Sequence, residues 1–75
     1  MDIVDVVVRV EQQLEAAEQR RLEERLRQVE GVIAPRFNAP HSHLLLVAYN
    51  PALLDSRRLL GVVRDEGFAA QLVGM

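Results

Sequence analysis

The sequence predicts an α+β sandwich in the chain order βαββαβ, four antiparallel strands with two helices on one face, and three observations predict it. Strand-length apolar segments open and close the chain. A long stretch free of glycine and proline follows the first of them. A polar, proline-containing turn joins two further extended segments near the middle.

From Ile3 to Val10 the residues alternate, with Val4, Val6, Val8 and Val10 on one side and Ile3, Asp5, Val7 and Arg9 on the other, as a half-buried strand requires. Glu11 to Glu30 holds no β-branched residue before Val29 and is built from Leu, Ala, Glu, Gln and Arg, so a helix is expected across it. Leu22, Leu26 and Val29 recur at helical spacing, Glu23 and Arg27 are placed for an i,i+4 ion pair, and Gly31 supplies a stop. Ile33 to Asn38 reads as a short strand that Pro35 confines to a sheet edge. Asn38, Pro40, His41 and Ser42 then form a turn, and Leu44 to Tyr49 completes a hairpin. After Asn50-Pro51, Asp55 or Ser56 caps a second helix that carries Leu59, Leu60 and Val63 inward until Gly67, and Phe68 to Val73 is the last strand. This is the ferredoxin-like, split-βαβ order. It is expected to fill the whole chain, residues 1–75, as one domain.

Composition narrows the function. There is no cysteine, so neither disulfides, thiolate metal ligands nor a cysteine nucleophile are available. All nine Lys or Arg positions are arginine, which removes Schiff-base chemistry. A formal charge of -2, a pI near 5.6 and the absence of tryptophan speak against a nucleic-acid partner. No apolar run is long enough to insert in a membrane, and the first ten residues carry Asp2 and Asp5 where a signal peptide has basic residues, so a cytoplasmic location is expected. An enzyme is not expected either. No Ser-His-Asp spacing, glycine-rich phosphate loop or zinc-protease helix is present, and an acyl-phosphate hydrolase on this fold needs an arginine-lined loop where Glu11 to Glu18 is acidic.

Four landmarks carry a resemblance: Glu30-Gly31-Val32, Phe37-Asn38, Val47-Ala48-Tyr49-Asn50-Pro51 and Glu66-Gly67-Phe68. Together, in their spacing, they resemble the heavy-metal-associated domains of copper chaperones and metal-transporting ATPases. The resemblance spans almost the whole chain and implies a non-enzymatic, metal-handling domain. In that family a Met-x-Cys-x-x-Cys loop between the first strand and the first helix holds soft ions through two thiolates. The same count here falls on Gln13-Leu14-Glu15-Ala16-Ala17-Glu18, so Glu15 and Glu18 stand where the cysteines would be. Thiolate binding of Cu(I) at those positions is thereby excluded.

On a continuous helix, Glu11, Glu15 and Glu18 share the stripe of Leu22, Leu26 and Val29, so the helix start must overhang the sheet to keep its carboxylates in water. Carboxylates there also suit the helix macrodipole. The fold places that start at the same end as the hairpin carrying His41 and His43. Glu15, Glu18, His41 and His43 then form an N/O donor set of the kind that suits a divalent ion such as Zn(II), Cu(II) or Ni(II). Phe68 occupies the family's aromatic position beside the metal loop, with a core role at the end of the second helix as its plainer reading. Arg57 and Arg58, in the first turn of the second helix, hint at an acidic partner or a nearby carboxylate. Ile3, Val7, Leu44, Leu46 and Ala48 fall on the sheet face away from the helices, and such an apolar face implies a homodimer or another protein partner. The alternative to metal handling is therefore a metal-free interaction or dimerisation module on the same fold.

Overall fold

The computed structural model describes residues 2–73. Its elements are β1 (Val4–Val10), α1 (Ala16–Arg27), β2 (Val32–Phe37), β3 (Leu44–Tyr49), α2 (Ser56–Asp65) and β4 (Ala70–Val73). The four strands form one antiparallel sheet in the order β2-β3-β1-β4. Both helices lie over the same face, as the βαββαβ order requires.

The buried side of the sheet follows the alternation in the sequence. Val6, Val8 and Val10 from β1 and Leu45, Val47 and Tyr49 from β3 meet Leu22 and Leu26 of α1 and Leu59, Val62 and Val63 of α2. Val4 shares the side of Val6 but stays 38% exposed at the first position of its strand. Leu26, Leu45 and Leu59 are fully buried, and each contributes about 1.5–3 kcal/mol relative to an exposed leucine. Pro35 is buried on β2, a sheet edge, where its missing N–H costs no ladder bond. A register irregularity between Val32 and Ala34 bends the start of that strand.

Strand β1 begins at Val4 and not Ile3, β2 runs from Val32 to Phe37 and not from Ile33 to Asn38, and three further boundaries differ from the sequence reading for a tertiary reason. The helix expected from Glu11 begins at Ala16, because the chain first continues the sheet: the Glu11 N–H donates to the Ala69 carbonyl at 2.8 Å. Leu14 then drops into the core from a non-helical backbone, 2% exposed. Helix α1 ends at Arg27, with Gln28 as its C-cap, so Gly31 (φ 99°) closes the turn into β2 and not the helix itself. The last strand starts at Ala70, since the Ala69 N–H is taken by the Gln12 side chain at 3.1 Å.

The expected Glu23–Arg27 pair is also not formed. Arg27 pairs with Glu24 at i,i+3, and the Glu23 carboxylate instead accepts the backbone N–H of Phe37 at 2.9 Å. A charged acceptor at this part-buried amide ties α1 to the edge strand, which helix propensity does not reveal.

Strand registers decide where the connections meet. Val10 pairs with Ala70, Arg9 with Leu44, and the Val10 N–H donates to the His43 carbonyl at 2.8 Å. The β1–α1 loop, the β2–β3 hairpin and the α2–β4 turn therefore gather at one end of the sandwich.

Candidate metal centre

At that end, Glu15 is the N-cap of α1 in an extended conformation (φ -67°, ψ 160°), and Glu18 sits three residues on. The Glu18 carboxylate accepts from the Glu15 N–H at 3.2 Å, the returning half of a capping box. Both acids thus have a structural use at the positive end of the helix dipole. Glu15 is exposed and Glu18 half-buried, so neither carries the penalty of an unpaired buried charge. The acidic stripe expected on a continuous helix is not formed: Glu11 continues the sheet, Glu15 caps the helix, and the inward face of α1 begins at Gln19.

The two histidines behave differently. His41 is exposed in the turn with φ 61°, a left-handed conformation uncommon for a non-glycine residue. His43 is half-buried, and its Nδ1 lies 2.8 Å from the Val10 carbonyl. A carbonyl oxygen only accepts, so Nδ1 carries the proton and the lone pair of the neutral ring is left on Nε2. This second-sphere arrangement is one that metal-binding histidines use.

Gln19 is buried, 7% exposed, and its amide donates to the Ala39 and Ser42 carbonyls of the hairpin turn at 3.3 and 3.5 Å. The Ser42 hydroxyl accepts from the Leu44 N–H at 3.1 Å. Helix, turn and first strand are thereby joined around the candidate site. Phe68 is half-buried against the core and lines a hollow with Glu18, Arg21, Leu22 and Glu66.

Among the described residues, no group of three or more His, Cys, Asp or Glu side chains is arranged to hold a metal ion. The structure brings the elements bearing Glu15, Glu18, His41 and His43 to one end but does not assemble those four into a coordination sphere. With no thiol in the chain, a soft ion held by two thiolates does not fit.

The architecture has close counterparts among solved structures. A crystal structure of oxidized MerP from Ralstonia metallidurans CH34 matches with a TM-score of 0.84 at 17% identity, over 96% of this chain and 99% of that one. A copper binding domain from HMA7, a P-type ATPase, matches with 0.84 at 24% identity, over 93% of each chain. The N-terminal domain of a potential copper-translocating P-type ATPase from Bacillus subtilis, in its Cu(I)-loaded state, matches with 0.83 at 27% identity, over 95% of this chain and 88% of that one. The chain has the heavy-metal-associated fold. No protein-family model and no curated protein sequence matches it. The likeness is thus carried by backbone shape, and the landmarks at Gly31, Asn50-Pro51 and Gly67 sit at the turns of that heavy-metal-associated fold.

Sequence reasoning missed Gln19 and Arg64 and gave Glu23 a different partner. Arg64 donates through Nε and Nη2 to the Ala70 carbonyl at 3.1 and 3.0 Å and fastens α2 to the edge strand. Gln19 could have been found, since it lies three residues before Leu22 and seven before Leu26, on the inward stripe. The backbone partners of Glu23 and Arg64, the Phe37 N–H and the Ala70 carbonyl, are remote in sequence or beyond a turn, and no local pattern marks them.

Proposed function

We propose that this chain is a non-enzymatic metal-handling domain in which Glu15 and Glu18 replace a thiolate pair and, with His43 and His41, offer N and O donors to a divalent cation. One observation carries the reading. On a fold shared with domains described as copper binding and Cu(I)-loaded, the carboxylates at the start of α1 stand at the end where His43 keeps Nε2 free to ligate. Carboxylate and imidazole favour Zn(II), Cu(II) or Ni(II) over Cu(I). Because the donors are not pre-assembled, ions arrive and leave easily, which suits transfer better than storage.

Isothermal titration with Zn(II), Cu(II) and Ni(II) tests this. The expected result is one saturable site tighter than about 1 mM, equivalent to roughly 4 kcal/mol. Loss of that site is expected in the Glu15→Ala, Glu18→Ala double variant and in the His41→Ala, His43→Ala double variant. No saturable binding, or binding unchanged in both variants, would refute the assignment.

A second reading, a metal-free interaction module, draws on the outer face of the sheet. Among the described residues no helix covers it, and Val7, Leu44, Leu46 and Ala48 are half-buried there. Protein association that persists in chelator, in a chain that binds none of the three ions, would favour this reading over the first.

A further inference from the structure

The outer face of the sheet has a pattern that selects its own partner. Its side chains form three rows across the strands. The first row runs Ala34, Ala48, Asp5, small and then acidic. The middle row runs Arg36, Leu46, Val7, Val73. The third runs Leu44, Arg9, Gln71. Val7 therefore has Asp5 on one side and Arg9 on the other, each two residues or about 6.6 Å along the strand. On β3, Leu46 has Ala48 on one side and Leu44 on the other.

We propose that this face binds a second copy of the chain about a two-fold axis lying along the middle row. Such an axis lays the first row of one copy over the third row of its partner, twice. Asp5 then meets Arg9 at two symmetric places, and Leu44 enters the hollow above Ala48 that Ala34, Leu46 and Val7 border. Val7 and Leu46 pack near their own copies at the centre. Among the described residues the Asp5 carboxylate makes no ion pair, whereas Arg9 keeps only an exposed contact with Glu11 at 3.6 Å. The copy thus supplies a counter-ion that the monomer lacks.

The alternative two-fold, parallel to the strands between β1 and β3, would press Asp5 onto Ala48 and Arg9 onto Leu44. That buries charges against apolar groups without a partner, which is costly. Sheets packed face to face keep their strands within about 30° of alignment, and antiparallel alignment of β1 over β1 satisfies this. Arg36 meets its own copy at the rim, where both guanidinium groups reach solvent. Four strands at about 4.8 Å and three rows at about 6.6 Å give a footprint of roughly 400 Å² per copy. That lies below the size of stable interfaces, so the dimer is a weak one, with Kd in the range of about 0.1–1 mM.

This deepens the interaction reading and is independent of metal binding, since its test is run in chelator. Sedimentation equilibrium and concentration-dependent amide shifts are measured on the full chain from about 10 μM to several mM, a range that brackets that Kd. Shifts are expected on Val7, Leu46 and Ala48. Leu46→Glu is expected to weaken association more than tenfold. Asp5→Arg and Arg9→Asp each weaken it about fivefold or more, and the combined swap restores it to within about threefold. Arg36→Ala tightens it. Circular dichroism confirms that each variant is folded. A chain that is monomeric throughout, a dimer indifferent to Leu46→Glu, or a swap that does not rescue the single changes would overturn the proposal. A monomer would leave the interaction reading standing with a different protein on this face.

Discussion

One substitution, glycine to alanine, made separately at three positions, has three different expected outcomes. Gly61 lies inside α2, and a Cβ built there meets nothing within 4 Å. Alanine is favoured over glycine in a helix interior by roughly 0.8–1 kcal/mol, so Gly61→Ala should stabilise the fold by about that amount. Gly67 follows the C-cap of α2 with φ +97°, again in open space. There a side chain costs about 1–2 kcal/mol, partly offset by about 0.4–1 kcal/mol from a stiffer unfolded chain. A net loss of about 1 kcal/mol results. Gly31 combines φ +99° with crowding, since its added Cβ would stand 3.0 Å from Leu54 Cβ and 3.1 Å from Leu53 Cβ. Those atoms are bonded directly to the backbone and cannot swing aside, so overpacking of about 1–3 kcal/mol adds to the backbone cost. The expected loss is about 2–4 kcal/mol, a large part of the roughly 4–11 kcal/mol that stabilises a domain of this length. Urea denaturation followed by far-UV circular dichroism gives the three values, and thermal scans should separate the variants by several degrees. A destabilising Gly61→Ala would refute the open helix-interior setting of that residue, and a Gly31→Ala within about 0.5 kcal/mol of the parent would refute the crowded left-handed turn.

Further substitutions probe the contacts that hold the layers together. Glu23→Ala should cost about 1–2 kcal/mol and speed amide exchange at Phe37, while Glu23→Gln recovers most of the loss. Glu18→Ala removes the acceptor for the Glu15 N–H and should cost about 0.5–1 kcal/mol, with fraying visible in amide shifts over residues 16–19. Arg64→Ala breaks both bonds to the Ala70 carbonyl and should cost about 1 kcal/mol, with faster exchange confined to β4 and its neighbour β1.

The strands were the most legible part of the chain. Leu44–Tyr49 matches its expected bounds, because turn residues flank it on both sides and its even-spaced members Leu45, Val47 and Tyr49 are buried. The edge position of β2 followed from Pro35 alone. The start of α1 was not legible: nothing between Glu11 and Glu15 disfavours helix, and only the pull of the Ala69 backbone and the burial of Leu14 hold that stretch extended. The convergence of three connections at one end was readable from topology. What topology could not supply was the separate employment of each candidate ligand: Glu15 as the helix N-cap, Glu18 as a capping acceptor, His43 on a carbonyl of β1, His41 in a left-handed turn. These depend on side-chain rotamers and on backbone atoms far away in sequence.

The lashing of the hairpin by Gln19 and His43 bears on kinetics. With the turn fastened to α1 at two carbonyls and to β1 through an imidazole, the hairpin is held where it lies and would not fold over an ion taken up at the proposed site. Capture would proceed by rotation of individual side chains, on the ps–ns scale of exposed rotamers and not the slower scale of a moving lid. Encounter and escape would then be governed by solvation of the cation and not by the polypeptide.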